Sequence, residues 1–178
     1  IRTTLDLSLQ DEAEQSVVAG VQRNRKYNAE NAALVAIDVS TGDVLSMVGS
    51  RDYFDTTIDG AVNVTMRPRQ PGSAFKPFAY ARAFEEGYQP ETLVYDVPTN
   101  FGPDGSGRDY MPKDYDGKYR GALPMKEALP QSLNIPAVET LAVSGVPDVI
   151  GLARRLGIST LDDGRPYGLS LVLGGAEV

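Results

Sequence analysis

The 178 residues contain no cysteine and no histidine. Without cysteine there can be no disulfide, no thiolate nucleophile and no cysteine-ligated metal. Without histidine there can be no Ser-His-Asp triad and no imidazole-ligated metal centre. Any nucleophilic chemistry must therefore take its base from Lys, Asp, Glu or Tyr. Positive charge is in deficit as well: 17 Lys and Arg stand against 24 Asp and Glu, a formal net charge of −7. Such a surface repels phosphate backbones, which argues against a nucleic-acid partner. No apolar run reaches the ~20 residues that a membrane-spanning helix needs, and no secretion signal is visible. The sequence opens at Ile1 rather than Met and reads as a segment of a longer protein, so the missing signals say nothing about location.

What is present is ordinary globular material, 42% apolar and 23% charged, in a length sufficient for one domain with a real core. Ser8 and Asp11 suggest a capping box. Leu9, Ala13, Val17, Val18 and Val21 then recur at helical spacing, which predicts a helix over 9–25. Residues 32–38 and 44–48 read as two strands around the turn signal Ser40-Thr41-Gly42-Asp43, a β-hairpin. Residues 50–70 are polar and aperiodic.

A helix is expected from Ser73 to Glu86, with Phe75, Phe78, Ala79 and Ala83 on its buried side and Gly87 just past its end. Pro77 falls in the first turn, where its missing N–H has no helical partner to lose. Residues 90–121, rich in Pro, Gly, Asp and Tyr, read as a long loop with short strands. Residues 123–129, 135–143 and 147–156 read as helices, stopped by Pro130, Gly145 and Gly157. The apolar stretch 169–178 carries Gly174-Gly175. No internal repeat, low-complexity tract or clear interdomain linker is visible.

The chemistry concentrates at Ser73-Ala74-Phe75-Lys76. Residues three apart share a helix face, so a serine hydroxyl and a lysine amine come within reach of one another. Free serine is a weak nucleophile and needs an adjacent base. Lysine serves when burial or a neighbouring cation lowers its pKa. Phe75 and Phe78 could supply the dry setting, and the helix start would add N–H groups and a positive field for an oxyanion. Taken alone, Ser-x-x-Lys is as readily a serine cap followed by a solvated lysine. A second element is Ser132-Leu133-Asn134, whose hydroxyl could relay a proton and whose amide could both donate to and accept from a peptide. Alone it reads as a polar helix terminus.

The order of these two elements is that of the Ser-x-x-Lys and Ser-x-Asn motifs of β-lactamases and penicillin-binding proteins. Arg69-Gln70-Pro71-Gly72-Ser73-Ala74-Phe75-Lys76-Pro77-Phe78 resembles the active-serine segment of bifunctional, class A penicillin-binding proteins. Arg2-Thr3-Thr4-Leu5-Asp6 with Leu9-Gln10 resembles the opening of their transpeptidase domains, and 33–49 their first hairpin. Tyr115-Asp116-Gly117, 128–138 and Gly174-Gly175-Ala176-Glu177-Val178 resemble later landmarks. The resemblance covers nearly the whole chain.

It implies an α/β (α+β) serine transpeptidase fold, an antiparallel sheet flanked by helices. The implied activity is D,D-transpeptidation, in which the serine attacks the D-Ala-D-Ala bond of a peptidoglycan stem peptide and passes the acyl group to an amine on a neighbouring stem. β-Lactams would mimic the donor. Ser73 would be the nucleophile, Lys76 its base, Ser132 a proton relay and Asn134 a substrate contact, with the Ser73 N–H as half of the oxyanion hole. No metal or organic cofactor is implied. The location implied is outside the cytoplasmic membrane, beside a glycosyltransferase domain preceding Ile1.

One departure is large. The family's third motif, Lys-Thr-Gly or Lys-Ser-Gly on a later sheet strand, is nowhere in the sequence. The chain is therefore expected to be the first part of a transpeptidase domain, completed by further sequence or by a second chain. Two other readings stay open: a D,D-carboxypeptidase or β-lactamase of the same fold, and a noncatalytic, partner-binding module.

Overall fold

The structure is a computed structural model that describes residues 2–103, 107–161 and 165–178. The chain divides into two compact units, one ending at Arg67 and the other beginning at Pro68.

In the first unit, helix α1 spans Leu7–Asn24 and buries Ala13, Val17 and Val21 on one face, as four-residue spacing requires. Its cap corrects the expectation from sequence. Asp6 is the N-cap: its carboxylate accepts from the backbone nitrogens of Ser8 at 2.9 Å and Leu9 at 3.1 Å. The Ser8 hydroxyl donates to that same carboxylate at 2.6 Å, so it reinforces the cap instead of forming a box with Asp11. The helix consequently starts two residues earlier than expected, because an aspartate in extended conformation just ahead of it reaches the second and third helical N–H groups.

Strands β1 (Leu34–Ile37) and β2 (Val44–Val48) form the expected antiparallel hairpin, with Leu34 opposite Val48 and an irregularity between Ala36 and Ile37. Val48 packs with Ala13 and Val17 of α1, joined by Ala32 and Leu34. The Gln10 side chain completes this junction by mimicking a strand. Its Oε1 accepts from Met47 N at 2.9 Å and its Nε2 donates to Met47 O at 3.2 Å. Residues 50–67 contain two short 3₁₀ turns, Thr56–Ile58 and Val64–Met66.

The second unit carries the larger core. Helix α2 spans Lys76–Glu85. Strands β3 (Leu93–Asp96) and β4 (Gly121–Pro124) pair antiparallel, Val94 opposite Leu123, so the described strands make two two-stranded sheets. The helix expected over 123–129 is corrected: Leu123 and Pro124 belong to β4, and α3 is one turn, Met125–Ala128. The β-bridge to β3 and the extended backbone of Pro124 hold the chain out of the helix until Met125.

Helix α4 (Asn134–Ser144) is buried nearly all round, with Ile135, Ala137, Val138 and Leu141 at 0% exposure. A helix apolar on every side belongs in the middle of a core. It packs against α2, β3, a 3₁₀ turn at Leu169–Leu173 and helix α5 (Val146–Arg155). Ala79 and Ala83 of α2, also at 0%, keep the α2 surface facing the core small. No single described helix is long and apolar enough to cross a membrane.

Leu141→Ala is expected to destabilise the folded chain by about 2–5 kcal/mol, because it empties a fully buried site. Val143→Ala, on the exposed side of the same helix, should stay within about 0.5 kcal/mol. Urea denaturation of both variants measures the contrast.

Candidate active site

Ser73 does not start an α-helix, as the sequence suggested. It lies in a 3₁₀ turn, Gly72–Phe75, and α2 begins only at Lys76, with Pro77 in its first turn. Residues i and i+3 eclipse in a 3₁₀ turn, so the change of helix type keeps Ser73 and Lys76 on one side. The Lys76 N–H donates to the Ser73 carbonyl and closes the turn. Phe75 is buried beneath, its ring 4.9 Å from that of half-buried Phe78. Ser73 itself is exposed, and among the described residues its hydroxyl makes no hydrogen bond.

The turn is held from behind by backbone. Arg69 and Val178 exchange both backbone hydrogen bonds at 3.0 Å. Gly174 adopts φ +73°, and a Cβ there would lie 2.1 Å from the Gly72 nitrogen. Only a residue without a side chain permits that approach. Gly174 thus has a steric role immediately behind the serine.

Lys76 is 1% exposed, and its ammonium points at the entry to α4. Its Nζ donates to Asn134 Oδ1 at 2.7 Å, to the Ser132 carbonyl at 2.5 Å and to Ser132 Oγ at 3.1 Å. Burial pushes the amine down to about 8 from its ordinary 10.5, opposed by the charge of Asp114. Ser132 is exposed and sits at φ +54°, a left-handed conformation that a non-glycine residue adopts at a cost of roughly 1–2 kcal/mol. That turn aims its carbonyl and its hydroxyl at the same amine. The Asn134 side chain is engaged at both ends, accepting from Lys76 and donating through Nδ2 to the Lys113 carbonyl at 2.8 Å.

Other candidate bases are less suited. Tyr80, one turn along α2, is buried and its hydroxyl is pushed up to about 12 by desolvation. The carboxyl of Asp96, at 0% exposure, is pushed upward, chiefly by burial. Among the described residues no cluster of three or more acidic side chains is placed to hold a metal ion.

The structure thus brings three of the four residues singled out from sequence into direct contact: Lys76, Ser132 and Asn134. Ser73 lies one turn away without touching them through a hydrogen bond. Such contacts often tighten only when a substrate is bound. Sequence reading missed Asp114, whose Oδ1 accepts from Asn134 N, along with Asp96 and Arg120 beside it. In a stretch as polar as Lys113-Asp114-Tyr115-Asp116, nothing marks the one carboxylate that is buried. Cavity size does not locate the site either. The larger cavity, about 790 Å³ beside Gln10, Met47 and Tyr53, lies in the first unit and contains none of these residues. A polar cleft of about 360 Å³ is lined by Gln70, Tyr167, Ser170 and Glu177.

An exposed serine on a tight turn, one turn from a buried lysine that a Ser-x-Asn segment grips, is an arrangement that can support acyl transfer to serine. The chain belongs to the penicillin-binding protein transpeptidase domain family, whose model matches residues 32–164. It is 36% identical over 178 residues to penicillin-binding protein 1C of Escherichia coli K12, covering 99% of this chain and 22% of that protein. It is 37% identical over 148 residues to penicillin-binding protein 1A of Neisseria meningitidis, covering 82% of this chain and 18% of that one. The chain thus spans about a fifth of the length of these relatives. Among solved structures, PonA1 of Mycobacterium tuberculosis in complex with penicillin V matches 99% of this chain and 47% of its own, at TM-score 0.77 and 25% identity. Penicillin-binding protein 1A of Haemophilus influenzae matches 83% of this chain and 21% of its own, at TM-score 0.72 and 28% identity. The fold is that of penicillin-binding transpeptidase domains, with small antiparallel sheets flanked by helices.

Gly174→Ala should destabilise the chain by more than about 1 kcal/mol, since it combines a left-handed backbone with a collision against Gly72. Gly151→Ala, inside α5 with open space around it, should instead stabilise by roughly 0.5–1 kcal/mol. Thermal unfolding of the two variants separates close backbone approach from ordinary glycine cost.

Proposed function

We propose that this chain is the acylating part of a peptidoglycan D,D-transpeptidase, with Ser73 as nucleophile, Lys76 as base, Ser132 as proton relay and Asn134 as the residue that orients the amine and meets substrate. The single observation that carries the reading is the buried Lys76 amine, held by Ser132 and Asn134 and brought down to about 8. A lysine in that state is neutral often enough near neutral pH to accept a proton.

The chemistry follows from the donors and acceptors present. As an ammonium, Lys76 has three N–H groups and three acceptors: the Ser132 carbonyl, Ser132 Oγ and Asn134 Oδ1. On losing a proton it needs a donor for its lone pair. Of the three partners only the Ser132 hydroxyl can reverse direction, and its 3.1 Å contact is the longest. In acylation the neutral amine takes the Ser73 proton as Oγ bonds to the carbonyl carbon of a D-Ala-D-Ala bond or a β-lactam ring. The proton then passes through Ser132 to the departing nitrogen, leaving Lys76 neutral again. The Ser73 N–H supplies one oxyanion donor. The second comes from sequence outside these 178 residues, where the domain's third motif and remaining strands belong. The acyl group leaves to an amine on a neighbouring stem peptide. These substrates place the domain on the extracytoplasmic side of the membrane, carried by the longer protein. Penicillin V bound to the similar PonA1 structure supports the β-lactam part of the proposal.

Fluorescent penicillin should label the full-length protein that carries this segment, and Ser73→Ala should abolish the label. A folded, unlabelled wild type would remove the enzymatic reading. Lys76→Ala should slow acylation by about 10²–10⁴. In the wild type the acylation rate should fall with decreasing pH below about 8, because the lysine is then protonated, and level off above it. A stopped-flow pH profile reads this directly.

A further inference from the structure

We propose that Asp96 and Asp114 share a single proton and act as one monoanionic unit that positions Asn134 and sets the charge facing Lys76. The coupling to Lys76 rests on the function proposed above. The shared proton does not.

The geometry starts from two buried carboxyls, Asp96 at 0% and Asp114 at 6% exposure. Each has one oxygen committed to a backbone donor. Asp96 Oδ2 accepts from Arg120 N at 2.7 Å, and Asp114 Oδ1 accepts from Asn134 N. The remaining oxygens, Asp96 Oδ1 and Asp114 Oδ2, are buried and have no donor among the described residues. Two ionised carboxylates so placed would repel and leave two acceptors unmet. One proton solves both problems: carried by Asp96, it is donated to Asp114 and gives each carboxyl its missing partner. Burial and that same hydrogen bond push Asp96 upward. The surrounding cation count agrees with one negative charge rather than two. Arg120 Nη1 lies 3.7 Å from Asp96 and 3.8 Å from Asp114, and the same guanidinium is already paired with Asp116 at 2.9 Å.

This unit reaches Lys76 through Asn134 and by the charge of Asp114. Asp114 holds Asn134 N, and the Asn134 side chain holds Lys76 Nζ. The other titratable groups around the amine do not compete. Tyr80 on α2 is kept neutral by burial. Glu139 on α4 accepts from Tyr95 N of β3 at 2.8 Å. Arg120 and Asp116 face the carboxyl pair. Asp114 is therefore a positioning residue, acting on Lys76 through Asn134. Were the pair to lose its proton, the doubled negative charge would keep Lys76 protonated and silence it as a base.

The two asparagine variants are not equivalent. Asp96→Asn supplies a permanent N–H to Asp114 and preserves the net charge, so the acidic limb of the acylation pH profile should stay in place. Asp114→Asn keeps an acceptor for Asn134 N but removes the charge nearest Lys76, so the limb should shift to lower pH. An unmoved limb in Asp114→Asn, or an equal shift in both variants, would overturn the coupling. The proton itself is read without activity. The infrared spectrum of the full-length protein at neutral pH should show the carbonyl stretch of a protonated carboxylic acid that disappears in Asp96→Asn. A difference spectrum without that band would overturn the shared proton, whereas loss of labelling specificity at Ser73 would overturn the functional reading and the coupling that rests on it.

Discussion

The constraint on which this structure depends is the removal of water from one lysine. A buried ammonium costs several kcal/mol unless its hydrogen bonds are replaced and an opposite charge is near. Around Lys76 the replacement is complete, with a carbonyl, a hydroxyl and an amide oxygen on the three N–H groups. The price of that arrangement appears in the partners. Ser132 is forced into left-handed backbone, and the whole of α4 must start where Asn134 can meet the amine. Asp114 then secures that start by accepting from the Asn134 N–H.

The same logic explains why the serine and the lysine differ so much in environment. Lysine must be dry to be weakly basic, and Lys76 is almost wholly buried. Ser73, the nucleophile in the proposed function, stands exposed on the 3₁₀ turn that leads into α2. One turn of chain carries both requirements because the turn is supported by backbone rather than side chain, with Gly72 pressed against Gly174. Relaxing that approach would move Ser73 without touching the Lys76, Ser132 or Asn134 side chains.

A core helix as apolar as α4 is a rigid place to mount Asn134, as the proposed proton transfer would require. The polar groups gather at its first turn, where the backbone N–H groups lack helical partners. Lys113, Asp114 and Lys76 all converge there. Asp96 of β3, buried beside Asp114 and accepting from Arg120 N, ties the short sheet to the same polar cluster.

Much was legible from residues alone. The absence of His and Cys left lysine as the natural partner for Ser73, and the hydrophobic periodicity of α1 and the hairpin turn at Ser40–Asp43 placed the first unit's elements. Local chemistry determined these, since spacing along a helix and turn-forming residues act over a few positions. Boundaries were less legible: Asp6 displaced Ser8 as the cap, and pairing with β3 kept Leu123 out of a helix. What only the tertiary structure decided was which polar groups are dry. Asp114 and Asp116 stand two residues apart in the same kind of sequence, yet one is buried against α4 and the other faces water. Burial is set by chain segments distant in sequence, and burial decides whether a carboxylate is solvated surface or a hydrogen-bonded part of the polar cluster around Lys76.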